Sequence, residues 1–223
     1  MPQQKGKKIL FYILVLLIAG SISNTSLTKI QFEKIKDIKI SGLNVDENIN
    51  LLQNIQGLNL KNLFFLNGNE ISKIIRSNNL VENFEIFKKY PNTLDIKIEK
   101  TNSLAKINRN GRILIVGSNG KLSDIKYLKK DLPFIFGKPE IKEFIKFTNI
   151  IEQSRFSFNE IKNFYFFPSK RWDLELENNI ILKLSKDHTE LSLDQAFEVL
   201  NDNNFNDIKI IDARIKNQII INE

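Results

Sequence analysis

Between residues 35 and 100 the spacing of apolar positions changes period twice. Residues 35–41 (IKDIKIS) alternate and stop at Gly42, which predicts a short strand. From Asp46-Glu47 to Gln56 the spacing becomes helical, with Ile49, Leu52 and Ile55 on one face and Gly57 as the stop. A second helix is expected from Asn69, where Ile71, Ile74 and Ile75 share a face and Asn69 or Gly68 can serve as the cap. Residues 84–89 then lead into Tyr90-Pro91-Asn92-Thr93, and residues 94–99 lead out. Pro at the second turn position and Asn at the third suit a tight hairpin. Setting Tyr90 opposite Thr93 pairs Phe87 with Ile96 and Lys88 with Asp95. The predicted order is strand, helix, helix, strand, strand.

A second unit starts near Thr101. Residues 112–116 read as a strand, Gly117-Ser118-Asn119-Gly120 as a turn, and Leu132-Pro133 opens a short extended piece ending at Gly137. Residues 140–153 have helical spacing (Ile141, Phe144, Ile145, Ile151), and residues 164–167 form a buried strand stopped by Pro168. In a hairpin over 172–184, Trp172, Leu174 and Leu176 alternate with Asp173, Glu175 and Glu177. A three-residue turn at Glu177-Asn178-Asn179 sets Leu174 opposite Leu182 and Asp173 opposite Lys183. A two-residue turn would set Glu175 against Leu182. Trp172 therefore belongs to the core and the three carboxylates to a solvated outer face. A helix over 191–200 with Ser/Thr caps follows. In a strand over 209–216, Ile211, Ala213 and Ile215 alternate with Asp212, Arg214 and Lys216, and residues 219–221 close the chain. The fold class is α+β.

The N-terminus carries a different pattern. Lys5, Lys7 and Lys8 precede an apolar run of 14 residues from Ile9 to Ile22, so the chain is directed to a membrane with the lysines on the cytoplasmic side. As a helix the run is about 21 Å long, short of a hydrocarbon core of roughly 30 Å. Two outcomes stand. Ala19 and Ser21 fit a cleaved signal peptide, whereas an anchor needs the helix to continue through Ser23, Asn24 and Thr25 to Leu27. Either way the rest of the chain lies outside the cytoplasm.

Composition narrows the chemistry. Apolar residues make up 42% and charged residues 26%, which fits one or two globular domains. The net charge of +7 comes from scattered Lys. Its densest points, Lys129-Lys130 and Ser169-Lys170-Arg171, have acidic neighbours and do not form a nucleic-acid footprint. Zero Cys excludes disulfides and thiolate metal sites, and His188, the sole His, excludes a multi-His cluster. Gly117-x-x-Gly120-Lys121 is not a P-loop, because Ile115 and Leu122 stand where Gly and Ser/Thr are needed. Asp173, Glu175 and Glu177 have no evident base partner. No enzyme, cofactor, metal or small-molecule substrate is expected.

Several segments carry a resemblance. Ile40-Ser41-Gly42 resembles a V-x-G strand end. Residues 89–96 (KYPNTLDI) resemble a W-P-x-x-L-x-I hairpin with Tyr90 in the Trp position. Residues 116–122 (VGSNGKL) resemble a D-x-x-G turn without its Asp, and residues 132–137 (LPFIFG) an L-P-x-L-x-G segment. Residues 171–176 and Ile211-Asp212-Ala213-Arg214 resemble later strands. In this order, over about residues 5–222, they resemble the FtsQ/DivIB family of bacterial cell-division proteins.

The resemblance implies a cytoplasmic tail (1–8), an uncleaved transmembrane signal-anchor (9–27), a β-α-α-β-β POTRA domain (34–100) and a mostly antiparallel β domain with flanking helices (101–223). Ile9, Leu10, Phe11, Leu14, Leu17 and Ile18 would form the anchor. The chain would be a single-pass type II protein of the cell inner membrane at the division septum, its C-terminal domains periplasmic. It would be a non-enzymatic scaffold whose partners are other divisome membrane proteins, FtsB/FtsL-like coiled-coil proteins among them. Strand addition at the last sheet edge is the expected mode of binding. Arg214 and Lys216 would meet partner carboxylates, Ile215, Ile219 and Ile220 would supply apolar contact, and Asn217 and Gln218 lie between. The bland reading is that Lys and Arg only blunt that edge against aggregation. A POTRA-containing bitopic subunit of a secretion or envelope-assembly system is the alternative.

Overall fold

The computed structural model describes residues 3–22, 33–58, 60–125, 131–202 and 207–222. Helix α1 (Gln3–Ile22) comes first, and every residue from Ile9 to Ile18 is exposed along it. No helix among the described residues is long and apolar enough to cross a membrane. The expected continuation through 23–27 and the Lys129-Lys130 pair lie outside the described residues.

The next unit is β1 (Asp37–Ser41), α2 (Val45–Gln56), α3 (Gly68–Ser77), β2 (Val81–Lys89) and β3 (Thr93–Lys100). Its sheet has the order β1-β3-β2, with β1 parallel and β2 antiparallel to the central β3. Leu94, Ile96 and Ile98 of β3 are buried against Leu51 and Ile55 of α2 and Ile71 and Ile75 of α3.

Three expectations for this unit need correction. Helix α2 buries Glu47, Leu51 and Ile55, while Ile49 is exposed. Glu47 accepts the Asn44 N–H at 3.0 Å and pairs with Lys100 Nζ at 3.0 Å, so holding the helix start turns the 47/51/55 stripe inward. The cap of α3 is Asn67, whose side chain accepts the Asn69 N–H at 3.1 Å. In the hairpin, Lys89 pairs with Thr93, Lys88 with Leu94 and Phe87 with Asp95. The loop is thus three residues long, one more than expected, and every pairing moves by one. That register sets Ile86 opposite Ile96 and Phe84 opposite Ile98 on the core face, and leaves Lys89 to reach Asp95 in an ion pair.

The second sheet contains, among the described residues, β4 (Ser103–Arg109), β5 (Arg112–Gly117), β6 (Leu122–Asp124), β7 (Phe134–Phe136), β8 (Ile161–Phe166), β9 (Trp172–Leu176), β10 (Ile181–Leu184), β11 (Ile210–Ile215) and β12 (Gln218–Asn222). Its spatial order is β12-β11-β10-β9-β8-β7-β4-β5-β6. Strand β4 was not anticipated, although its signal is present. Asn110 and Gly111, both at positive φ (53° and 80°), form the two-residue turn that joins it to β5. The β9–β10 register is the one the three-residue turn requires, Leu174 against Leu182 and Asp173 against Lys183.

Helices α4 (Ile141–Gln153) and α5 (Thr189–Leu200) share one core with one face of this sheet. Trp172 stacks on Phe147 of α4 (4.8 Å between centroids, 5° between planes), and Phe144 meets Phe164 edge-on at 5.2 Å. Helix α5 starts two residues before the expected position, after His188, which is exposed. Its Ser192, 1% exposed, accepts the Ser185 N–H (3.1 Å) and donates to the Ala213 carbonyl (2.8 Å), so the helix is tied to both β10 and β11.

The turn after β5 locks the two sheets together. Asn119 Nδ2 donates to the carbonyls of Asn79 (3.0 Å) and Val81 (2.9 Å), and Lys121 Nζ caps the end of α3 at the Arg76 carbonyl (2.6 Å). In return Asn79 Nδ2 donates to the Leu122 carbonyl at 2.7 Å. The turn sits where β3 runs on into β4, with Thr101 and Ser118 hydrogen-bonded at 3.0 Å.

Gly42, at φ +109°, lets the chain leave β1 hard against its neighbour β3: a Cβ there would lie 1.7 Å from the Ile98 carbonyl oxygen. Gly42→Ala is expected to destabilise the first unit by about 3 kcal/mol or more, measured by denaturant unfolding. An unchanged midpoint would refute the close approach.

Candidate partner-binding edge

Strand β12 pairs with β11 alone, so among the described residues its outer side carries no strand, and it is one edge of the large sheet. The hairpin that makes this edge is irregular. Asp212 pairs with Ile220 and Ile215 with Gln218, so Ala213 and Arg214 together face Ile219 alone in a bulge. Lys216 and Asn217 form the turn, with Asn217 at φ 59°.

A bulge takes an amide out of the ladder, and the Asp212 side chain compensates. Its Oδ1 accepts the Arg214 backbone N–H at 3.2 Å. The same carboxylate holds the Arg214 guanidinium, with Nε at 2.7 Å from Oδ1 and Nη2 at 2.5 Å from Oδ2. Burial pushes the Asp212 pKa up, but the hydrogen bonds and charge of Arg214 outweigh it and hold the group below its ordinary value of 3.8. The bond to Asp212 in turn raises Arg214.

Register extends this pair across the sheet. Asp212 faces Lys183 on β10, which faces Asp173 on β9, so Asp173, Lys183, Asp212 and Ile220 form one row ending at the edge. This row lies on the sheet face opposite the helices. The expectation that Asp173 and Glu175 sit on a solvated face is corrected here. Asp173 is 3% exposed beneath Arg171, which binds it through Nε (3.0 Å) and Nη2 (3.2 Å). Burial raises its pKa despite the opposing Arg171. Glu175 accepts from Asn163 Nδ2 (2.9 Å) and Tyr165 OH (2.7 Å), bonds that lower its pKa against burial. Tyr165, stacked on Phe136 at 4.9 Å, is pushed up to about 12 by burial and by Glu175. Long side chains lying across the sheet cover the carboxylates that alternation alone would leave wet.

Arg214, Ile215, Lys216, Asn217, Gln218 and Ile220 are all exposed and fall within one hairpin, while Ile219 packs partly on the core. Ile215 is 55% and Ile220 51% exposed, large apolar side chains beside an unpaired strand edge. Sequence reasoning missed Asp212 as the partner of Arg214. The signal was available: residues two apart on a strand share a face.

Residues 33–100 match the sequence profile of the POTRA domain, FtsQ-type, and residues 98–214 match that of the cell division protein FtsQ/DivIB, C-terminal. The second match alone covers more than half of the chain. The protein belongs to the FtsQ/DivIB family. It is 24% identical over 206 residues to the cell division protein FtsQ of Rickettsia typhi, covering 87% of this chain and 74% of that protein. To the cell division protein DivIB of Clostridium acetobutylicum it is 29% identical over 98 residues, covering 44% of this chain and 39% of that one. It is also similar to the solved major extracytoplasmic domain of the trans isomer of DivIB from Geobacillus stearothermophilus. That likeness has 14% identity and a TM-score of 0.32, over 48% of this chain and 98% of the other. As an FtsQ/DivIB member the chain is a cell-division protein. Its matched C-terminal region ends at Arg214, so most of the exposed hairpin tip lies beyond the match.

The Asp212–Arg214 pair yields a titration test. A carboxyl lowered by its partner contributes stability that is present above its ordinary pKa of 3.8 and lost as pH falls through the lower folded value. Carbon-detected NMR should place Asp212 below 3.8 in the wild type. In Arg214→Ala, where burial persists without the ion pair, the midpoint should move up. A midpoint unaltered by Arg214→Ala would exclude the pairing in solution.

Proposed function

We propose that the chain is a non-enzymatic, single-pass scaffold of the bacterial divisome that captures periplasmic segments of other division proteins by strand addition at β12. The observation that carries this reading is the open side of β12, flanked by exposed Ile215 and Ile220 and by Arg214. An extended segment laid along that edge would pair its backbone with β12, which supplies affinity. Its side chains would meet Ile220 on one face and the turn on the other, which supplies selection. Capture of FtsB/FtsL-like coiled-coil proteins fits this chemistry. Arg214 is already held by Asp212, so a partner carboxylate would meet a pre-oriented guanidinium, at small entropic cost.

We take residues 1–8 as the cytoplasmic tail, 9–27 as the uncleaved anchor, 34–100 as the POTRA domain and 101–223 as the β domain. Ile9, Leu10, Phe11, Leu14, Leu17 and Ile18 are exposed on α1, and a bilayer would bury them. Lys5, Lys7 and Lys8 before the run favour the orientation with the C-terminal domains in the periplasm.

Replacing Ile220 by Ser should weaken capture of an immobilised coiled-coil division partner by about tenfold, without changing thermal unfolding of the chain. Equal capture by wild type and variant would remove the edge from consideration. A fluorescent protein fused before Met1 should collect at the septum at full fused size. A truncated tag-bearing fragment would rule out the uncleaved anchor.

A further inference from the structure

The first unit exposes a second apolar cluster that the C-terminal edge does not explain. Phe64 is 61%, Phe65 72% and Tyr90 61% exposed. They stand together: Phe64 lies 6.2 Å from Phe65 and 6.0 Å from Tyr90, ring centre to ring centre. The loop that presents them is built. Leu63, 1% exposed, anchors it in the core, and Asn62 Oδ1 accepts the backbone N–H of both Phe64 and Phe65 at 3.1 Å. The two rings are thus held outward by a satisfied Asx turn beside a buried anchor.

The position of this cluster is informative. Tyr90 opens the β2–β3 loop, and the same end of the domain receives the chain from α1. Lys36 N–H donates to the Asn92 carbonyl at 2.9 Å, Ile35 N–H to the Lys61 carbonyl at 3.3 Å, and Lys34 bridges to Asn62. Ten residues, 23–32, join this end to α1, and even fully extended they reach only about 36 Å. The segments at this end carry Lys34, Lys36, Lys61, Lys88 and Lys89, all exposed, of which Lys36 pairs with Glu33, Lys89 with Asp95, and Lys88 donates to the Leu66 carbonyl. Exposed aromatic rings and an excess of lysines at one end of a domain are the composition that settles at the level of lipid headgroups, with the rings at the acyl boundary and ammonium groups on anionic phosphate.

We infer that Phe64, Phe65 and Tyr90, with the lysines at this end, dock the first domain end-on onto the outer surface of the anionic membrane that holds α1. This rests on the anchor reading above. Docking would fix the height and tilt of the domain over the bilayer. The β12 edge, joined to this domain through the Asn119 and Lys121 contacts, would then be presented at a set distance from the membrane.

The test uses the full chain reconstituted into vesicles of phosphatidylcholine with phosphatidylglycerol, either unlabelled or brominated on the acyl chains. The wild type, whose sole Trp172 is buried, sets the baseline. Phe65→Trp should show blue-shifted emission that brominated lipid strongly quenches. Val45→Trp is the control, because Val45 is 74% exposed beside Glu47, which pairs with Lys100 at the far end of β3. It should stay unquenched. Failure of the chain to float with the vesicles would overturn the anchor and the docking together. Flotation without quenching at position 65, or equal quenching at both positions, would overturn end-on docking alone. A blue shift at position 65 that follows protein density and not bromination would assign the cluster to a second copy of the chain instead.

Discussion

Trp172 lies flat on Phe147, and that contact decides which side of the large sheet the helices can occupy. The indole sits among Phe144, Phe164 and Phe166, so the alternate residues of β8 and β9 that share its face are drawn into the same core. Helix α4 closes over this cluster, and α5 packs beside it on Leu182, Leu184 and Ile211. With both helices on one side, the opposite side of the sheet must be satisfied without them. The polar ladder on that face and the availability of the β12 edge both follow from this asymmetry.

On the open face the chain uses charge in place of apolar cover. Arg171, Asp173, Lys183, Asp212 and Arg214 alternate in sign across three strands and their flanks, and each carboxylate has a guanidinium laid against it. Arg214 is 45% exposed and water screens its pair with Asp212, so the net stabilisation is under about 1 kcal/mol. The pair matters through geometry. It takes up the amide released by the bulge and holds the hairpin tip in one conformation, so the edge strand leaves the sheet in a defined direction. An edge bent by a bulge and held by a turn and an ion pair is guarded against unselective pairing.

The two sheets are coupled by polar contacts concentrated in one turn. Asn119 and Lys121 use side-chain donors to satisfy carbonyls at the end of α3 and the start of β2, groups that the helix and sheet leave unpaired. The joint is small, but its donors come from a tight turn pinned by Thr101 and Ser118 at the point where one sheet's chain becomes the other's. Relative motion of the two units would have to break several of these bonds at once. Such a joint transmits the placement of one domain to the other.

Much of the fold was legible in periodicity. The β-α-α-β-β order, the 172–184 hairpin with its register and the buried Trp172 all follow from spacing and turn chemistry, which are local. Alternation also put Ile215 on one face with the buried Ile211 and Ala213, and the bulge exposes it instead. The misreadings share a cause. The first hairpin's register hung on one extra loop residue, and only Ile96 and Ile98 seeking Ile86 and Phe84 in a common core could choose it. Helix α2 turned by the reach of Glu47 to Lys100, 53 residues away, and Asp173 dried out under Arg171 on a sheet whose face was already settled by the helices behind it. By itself the sequence determined which elements form, which residues alternate and to which family the motifs belong, because these depend on neighbours along the chain. The register of the first hairpin, the facing of α2 and the parallel pairing of β10 with β11 were decided only by the tertiary structure. They depend on which distant surfaces share one core, and no local pattern records that.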